Sequence, residues 1–347
     1  MTDLEKLCSR VTEAADCAVI TDDVNRRYFT AMKSSAGTLV VFPEKAYFII
    51  DFRYIEKAKK TVTACEVILQ DKLYEQINSL IEKHGAKTVS VNADTCTLSE
   101  LIAYQQKLNA EVIADTKLAE IIREIRTIKS QEQIDKIIKA QRIAEKGFAH
   151  MLDFIKVGRT EKEIQLELDY YMLKNGAEAL SFDTIALSGS NTSLPHGVPS
   201  NKKVESGEFV LMDFGATYDG WHSDMTRTVC VGKPSDKMKS VYETVLTAQL
   251  TALDAVKAGM SGKALDKIAR DIITEAGYGD NFGHSLGHGV GVEIHESPYA
   301  SPSREDILPE NSIVTVEPGI YLEGKFGVGI EAVSYTHLRA HETLSDL

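Results

Sequence analysis

Asp213 and Asp224 stand eleven residues apart in FVLMDFGATYDGWHSDMTRTVCV, on either side of the dipeptide Asp219-Gly220. Alternating apolar residues around Asp-Gly form the strongest short-range hairpin signal. Centring the turn there puts Asp213 opposite Thr226 and makes Asp224 its diagonal neighbour, about 7–8 Å away at the backbone. Two carboxylates so placed can converge on one cation, although by themselves they read more readily as solvated charges beside a turn.

Downstream, GHSLGHGVGVEIHESP holds three of the chain's nine histidines, His284, His288 and His295, within twelve residues. A neutral imidazole ligates transition metals and titrates near neutrality, so the cluster suits ligation or proton transfer. The glycines let a substrate backbone approach closely. Two more carboxylates lie in apolar, strand-like runs, Glu317 in SIVTVEPGIY and Glu331 in FGVGIEAV. A glutamate in a buried strand is costly unless its charge is compensated. Four carboxylates and one imidazole would make a mixed oxygen and nitrogen site for two divalent cations. A further histidine, His196 in SLPHG, precedes the first of these strands; its spacing leaves open whether it donates protons or is an ordinary loop residue.

These groups need a scaffold to bring them together. At 347 residues the chain is long enough for two domains. From Cys17 to about Val112, short apolar runs alternate with helical stretches: CAVI, a hairpin of TLVVF and YFIID, a helix over 73–84, then TVSV. That pattern predicts an α/β domain over 1–125, ended by a connecting helix in KLAEIIREIRTIK. Ser130 with Gln133, and Thr160 with Glu163, have capping-box spacing. They predict one helix running to Phe154 and another closed by Asn175-Gly176. FIKVGRTEKEI and AVKAGMSGKAL echo one another 101 residues apart, as do Gly176 and Gly277, which suggests a duplicated helix-helix-strand unit.

Composition narrows the function classes. The net charge of −12 argues against nucleic acid, whose phosphates demand clustered Lys and Arg. The charged N-terminus lacks a signal peptide's apolar core and no run reaches membrane-spanning length, so the expected compartment is the cytoplasm. Five cysteines without CxxC spacing agree with a reducing environment.

With these residues in view, the chain resembles the pita-bread-fold metallopeptidases, which include methionine aminopeptidase, Xaa-Pro aminopeptidase and proline dipeptidase. The resemblance rests on the DFGA-like strand, the Asp eleven residues on, the HGxG segment, the EPG segment and the late Glu. It implies that Asp213, Asp224, His288, Glu317 and Glu331 hold two divalent metal ions, manganese first among manganese, cobalt, zinc and iron. It also implies that His196 and His295 bind substrate and stabilise the tetrahedral intermediate, and that His284 lines the pocket beyond the scissile bond. NRRYFT and DFRYIEKA are similar to the N-terminal domain of the X-Pro branch. The expected fold is therefore a creatinase-like α/β domain over 1–125 and an α+β pita-bread catalytic domain, with internal pseudo-duplication, over 126–333. The expected activity is hydrolysis of X-Pro bonds in dipeptides or at peptide N-termini. Glu317 is expected to handle the proton. A homodimer is implied, with a proline-containing peptide as substrate and no nucleic-acid or membrane partner.

The pattern departs at its end. Gly329 and Ala332 stand where the family usually has Arg and Asp, and 334–347 reads as an atypical, non-native tail without the family's closing strand. Weaker support for Glu331 from its surroundings would lower metal affinity. Three other readings compete: a serine hydrolase built on Ser285 in GHSLG, a metal-free creatinase-like enzyme, and a non-enzymatic binding module of the same fold.

Overall fold

The computed structural model describes residues 1–336. The chain divides into two compact units, Met1–Arg126 and Thr127–Leu347.

In the first unit, α1 (Asp3–Arg10), β1 (Cys17–Ile20), α2 (Asp23–Thr30), β2 (Thr38–Val41), β3 (Ala46–Ile50) and α3 (Ile55–Thr61) are followed by β4 (Glu66–Leu69), α4 (Leu73–His84), β5 (Thr88–Val91), α5 (Leu98–Lys107), β6 (Glu111–Ile113) and α6 (Lys117–Thr127). The strands form one mixed sheet in the order β4-β3-β2-β1-β5-β6, and β2 and β3 make the expected hairpin. The three central strands β1, β2 and β3 are buried along their whole length, which explains their continuous apolar runs. Helix α6 is more than the expected connector. Leu118, Ile121, Ile122 and Ile125 recur at helical spacing and are buried in the same core as Leu7, Ile20, Phe48 and Ile50.

The second unit begins with α7 (Gln131–Phe154) and α8 (Glu161–Lys174), each opened by the capping box read from its sequence. Then come β7 (Ala179–Leu180), β8 (Ile185–Ser188), β9 (Glu208–Phe214), β10 (Ala216–Tyr218), β11 (Trp221–His222) and β12 (Met225–Val231). Helices α9 (Asp236–Ala255) and α10 (Gly262–Glu275) follow, and then β13 (Gly287–Gly289), β14 (Glu296–Ala300), β15 (Ile313–Val316), β16 (Gly319–Leu322), β17 (Phe326–Gly329) and β18 (Ala332–Tyr335).

The internal echo has a structural counterpart. Before α8, Gly158 N–H donates to Val204 O, Val204 N–H to Arg159 O and Glu161 N–H to Lys202 O; before α10, Gly259 donates to Leu308, Leu308 to Met260 and Gly262 to Asp306. Gly158 and Gly259 both adopt positive φ, 89° and 82°, as do Gly176 and Gly277 at the ends of the helices that follow. Each repeat thus ties the entry of its second helix to a later extended segment by the same three bonds.

The long hairpin is interrupted. β9 pairs with β12, with Thr226 opposite Asp213 as expected, while β10 pairs with β11 in a separate sheet with β7. The break falls at Gly215 and at Ser223-Asp224. A Cβ on Gly215 would lie 2.0 Å from the Ser223 carbonyl oxygen, so only glycine admits the crossing. At the chain's end, β18 pairs antiparallel with β15 through Tyr335, so Ser334 and Tyr335 extend the sheet where the sequence read as tail. Residues 337–347 of that tail lie outside the described residues.

Candidate metal centre

The expected ligands gather where strands break. Asp213 lies one residue from the end of β9, Asp224 in the gap between β11 and β12, Glu317 just after β15 and Glu331 just before β18. Glu317 and Glu331 are therefore not within strands, as their apolar surroundings suggested. Leaving the ladder frees these backbones from the alternating up-and-down direction of strand side chains, so carboxylates from two repeats can point the same way. His288, on β13, comes from a third element.

One ligand atom each from Asp224, His288 and Glu331 lies within 4.8 Å of the other two, and all three residues are buried. His288 Nε2 is 3.5 Å from Asp224 Oδ2 and 3.2 Å from Glu317 Oε1. Its Nδ1 is 3.1 Å from the Gly289 carbonyl. A proton on Nδ1 donated to that carbonyl leaves Nε2 as the free ligand atom, the arrangement expected of a metal-binding imidazole. Asp213 and Glu317 complete the wall of a cavity of about 540 Å³, which His196, His284 and His295 also line.

The charge balance of this cluster is unfavourable without a cation. Burial, together with the neighbouring Glu317, pushes the Asp213 carboxyl up to about 7. Burial and the surrounding carboxylates also raise Asp224 and Glu331 well above the usual range. Burial alone would lower His288, but its hydrogen bond to Glu317 and the nearby charges raise it to about 9. For Glu317 the opposing push of burial loses to His288, and its carboxyl falls below the ordinary value. Asp213 Oδ1 and Glu331 Oε1 are buried and make no hydrogen bond. Orphaned carboxylate oxygens beside an imidazole nitrogen are what a divalent cation would satisfy, so the residues present fit the metals implied by the resemblance.

Glu331 is well supported despite Gly329 and Ala332. Thr226 donates its hydroxyl to Glu331 Oε2 at 2.9 Å, and its carbonyl accepts from Glu331 N–H at 3.1 Å. Arg227 donates to the Glu331 carbonyl. One residue further along β12, the Thr228 hydroxyl bonds both the N–H and the carbonyl of Gly329. β12 thus holds the Glu331 segment by three successive residues, of which sequence reading named only Thr226, and that as the partner of Asp213.

The remaining histidines differ in setting. The rings of His288 and His295 meet edge to face at 4.3 Å, and burial with the adjoining His288 lowers the pKa of His295. His284 lies 2.8 Å through Nδ1 from the Ser285 carbonyl and 3.2 Å through Nε2 from the Tyr321 hydroxyl. Tyr321, also missed from sequence, lines the cavity, and burial raises its phenol. His196 is exposed on its loop beside the cavity. Ser285 lies in the cavity wall, but strand β13 follows it, where a nucleophile elbow needs a helix.

Residues 135–336 match the profile of metallopeptidase family M24, and residues 4–128 match the creatinase/prolidase N-terminal domain. Among curated proteins, the Xaa-Pro dipeptidase of Pyrococcus furiosus is 39% identical over 331 residues, covering 94% of this chain and 93% of its own. A solved Xaa-Pro dipeptidase from Bacillus anthracis superimposes with a TM-score of 0.95 at 39% identity, covering 99% of this chain and 97% of its own. The X-Pro aminopeptidase of Thermotoga maritima superimposes with a TM-score of 0.89 at 37% identity, covering 96% of each chain.

Proposed function

Because the chain belongs to metallopeptidase family M24, we propose that it hydrolyses the peptide bond preceding proline, in dipeptides or at peptide N-termini, with two divalent metal ions held by Asp213, Asp224, His288, Glu317 and Glu331. The observation that carries this reading is the convergence of Asp224, His288 and Glu331 within 4.8 Å in a cavity that also holds the other two carboxylates and three histidines. A site without metal chemistry would have no use for buried carboxylates at such a cost. That weighs against the metal-free alternative.

When bound, the two cations supply Lewis acidity and lower the pKa of water toward neutrality. The protein's own groups do the rest. Glu317 is positioned to accept a proton, and Thr315 fixes its orientation by donating to Oε1 at 3.1 Å. His295, held toward the neutral form, donates a hydrogen bond to the substrate carbonyl as negative charge develops there. His196 reaches the substrate from the opposite loop, and His284, oriented by Tyr321, borders the space for the residue after the scissile bond.

Four oxygen-bearing side chains and one imidazole favour manganese, with cobalt, zinc and iron as competitors. Five free cysteines support placement in the reducing cytoplasm, and among the described residues no helix is long and apolar enough to cross a membrane. A homodimer completes the proposal, on the strength of the family resemblance.

The deciding experiment follows Ala-Pro and Ala-Pro-Ala hydrolysis with manganese and then with chelator. Cleavage of the dipeptide alone, lost on chelation, makes the protein a dipeptidase; cleavage of the tripeptide makes it an aminopeptidase. Bound manganese with neither cleavage would overturn the enzymatic reading.

A further inference from the structure

Glu161 is the first residue of α8 and is completely buried. Its neighbour Thr160 is the N-cap, and Glu163 closes the capping box, so Glu161 has no part in the cap itself. Its carboxylate instead takes five hydrogen bonds from outside the helix. Oε1 accepts from Ser188 N–H at 2.7 Å, Ser188 hydroxyl at 3.1 Å and Asn191 Nδ2 at 3.0 Å. Oε2 accepts from Ser200 N–H at 3.0 Å and Ser200 hydroxyl at 2.6 Å.

Ser188 ends β8, and Ser200 lies where the chain returns to the entry of α8, with Lys162 N–H donating to the Ser200 carbonyl. The two oxygens of one carboxylate therefore clip together both ends of the loop from Ser188 to Ser200. Leu194, Pro195, His196 and Val198 at its tip are exposed, so the tip is held from its base. The second repeat lacks this device. Gly262 occupies the position equivalent to Glu161, and a Cβ there would lie 1.9 Å from the Tyr299 carbonyl oxygen. A buried carboxylate with its full complement of donors is rigid, because releasing any one donor leaves a desolvated acceptor.

We propose that Glu161 is a positioning residue that fixes the loop carrying His196 relative to the metal centre. This rests on the reading of His196 as a substrate-binding histidine. Glu161 touches neither substrate nor metal; it acts through the loop.

The test uses Glu161→Gln, nearly isosteric, in which an amide NH₂ replaces one oxygen and confronts N–H and O–H donors at one end of the loop. Ser200→Ala, at an exposed position, serves as a milder variant should Glu161→Gln fold poorly. Hydrogen exchange, manganese affinity and Ala-Pro kinetics are measured on full-length protein, alone and in a His196→Ala background. Expected are exchange in 189–200 at least about tenfold faster, unchanged manganese affinity, and kcat/KM down about 10- to 100-fold, the usual consequence of a misplaced group. With His196 already removed, Glu161→Gln should cost less than about twofold more. Unchanged loop exchange would overturn the proposal, as would a full additional loss in the His196→Ala background. If His196→Ala is itself silent, the role given to His196 falls, and with it the catalytic half of this proposal, while the exchange data still decide whether Glu161 anchors the loop.

Discussion

Thr226 faces Asp213 across the β9–β12 ladder and donates its hydroxyl to Glu331 at 2.9 Å. One side chain thereby links a carboxylate of the first repeat to one of the second. Replacing it with valine keeps the shape and removes the donor. A ligand that loses its outer hydrogen-bond partner typically loses about 10- to 100-fold in metal affinity. Thr226→Val is therefore expected to weaken manganese binding by that order with the fold intact, as titration calorimetry on chelator-stripped protein would register. Unaltered affinity would mean that the Thr226 carbonyl and the Arg227 guanidinium, which bond the Glu331 backbone, suffice.

Asp224 illustrates a conflict between stability and function. Without metal it is a buried acid surrounded by Asp213, Glu317 and Glu331, relieved by His288 and by a backbone hydrogen bond from Met225. Asp224→Asn removes one of these like charges. The metal-free variant should be more stable than the metal-free parent by about 1 kcal/mol or more, a rise in Tm of roughly 2–4 °C for a unit of this size. Manganese-dependent activity should fall by at least about a hundredfold. Thermal melts with chelator and with manganese check both: the stability order should reverse when metal is added.

Much of this centre was legible in advance because Asp-Gly marks a hairpin turn and fixes its register, which alone put Asp213 opposite Thr226. The interruptions were not legible. Whether a ladder breaks at Gly215 depends on the Ser223 carbonyl packing where a Cβ would stand, a tertiary contact with no local signature. For the same reason Glu317 and Glu331 read as strand residues, although both lie between strands. Glu161 was hidden by its context: an acidic residue in the first turn of a capped helix looks like an ordinary response to the helix dipole. Its five donors come from residues 27 to 39 positions away. Ser334 and Tyr335 show the converse error, since polar residues at a strand's end pair by backbone alone.

Proton uptake by the metal-free centre gives stability and metal binding opposite pH dependences. Asp213, Asp224 and Glu331 are raised above their unfolded values, so the metal-free fold binds more protons than the unfolded chain. Their contribution is complete below about pH 4 and is lost as pH rises, for Asp213 through about 7. His288, raised to about 9, adds a loss that continues to that pH. Glu317, lowered, matters only on the acid side of its ordinary value. Metal-free protein should therefore lose stability between pH 5 and 9, while manganese affinity rises over the same interval as the cation displaces protons. Urea denaturation and manganese titration at a series of pH values measure the two slopes, and slopes of the same sign would contradict this account.

Lys129 and Glu296 form an ion pair of 2.6 Å with side-chain exposures of 0% and 6%, one residue away from His295. Gly291 makes room for it, since a Cβ there would lie 2.1 Å from the Glu296 carboxylate. Glu293 N–H also approaches the other Glu296 oxygen, at 3.4 Å. Removing one charge deprives the other of its buried ion-pair partner, which typically costs about 3–5 kcal/mol, whereas an apolar replacement of both partners is often tolerated. Lys129→Met is thus expected to destabilise the protein by about 3–5 kcal/mol. Adding Glu296→Leu to that variant should recover at least half of the loss, because the buried carboxylate that lost its countercharge is then gone. Because Glu296 adjoins His295, even a stable double variant should show a lower kcat on Ala-Pro with manganese affinity unchanged. Urea denaturation of the two single variants and the double variant separates the terms. Full additivity of the single losses would mean that the two charges do not act as a pair.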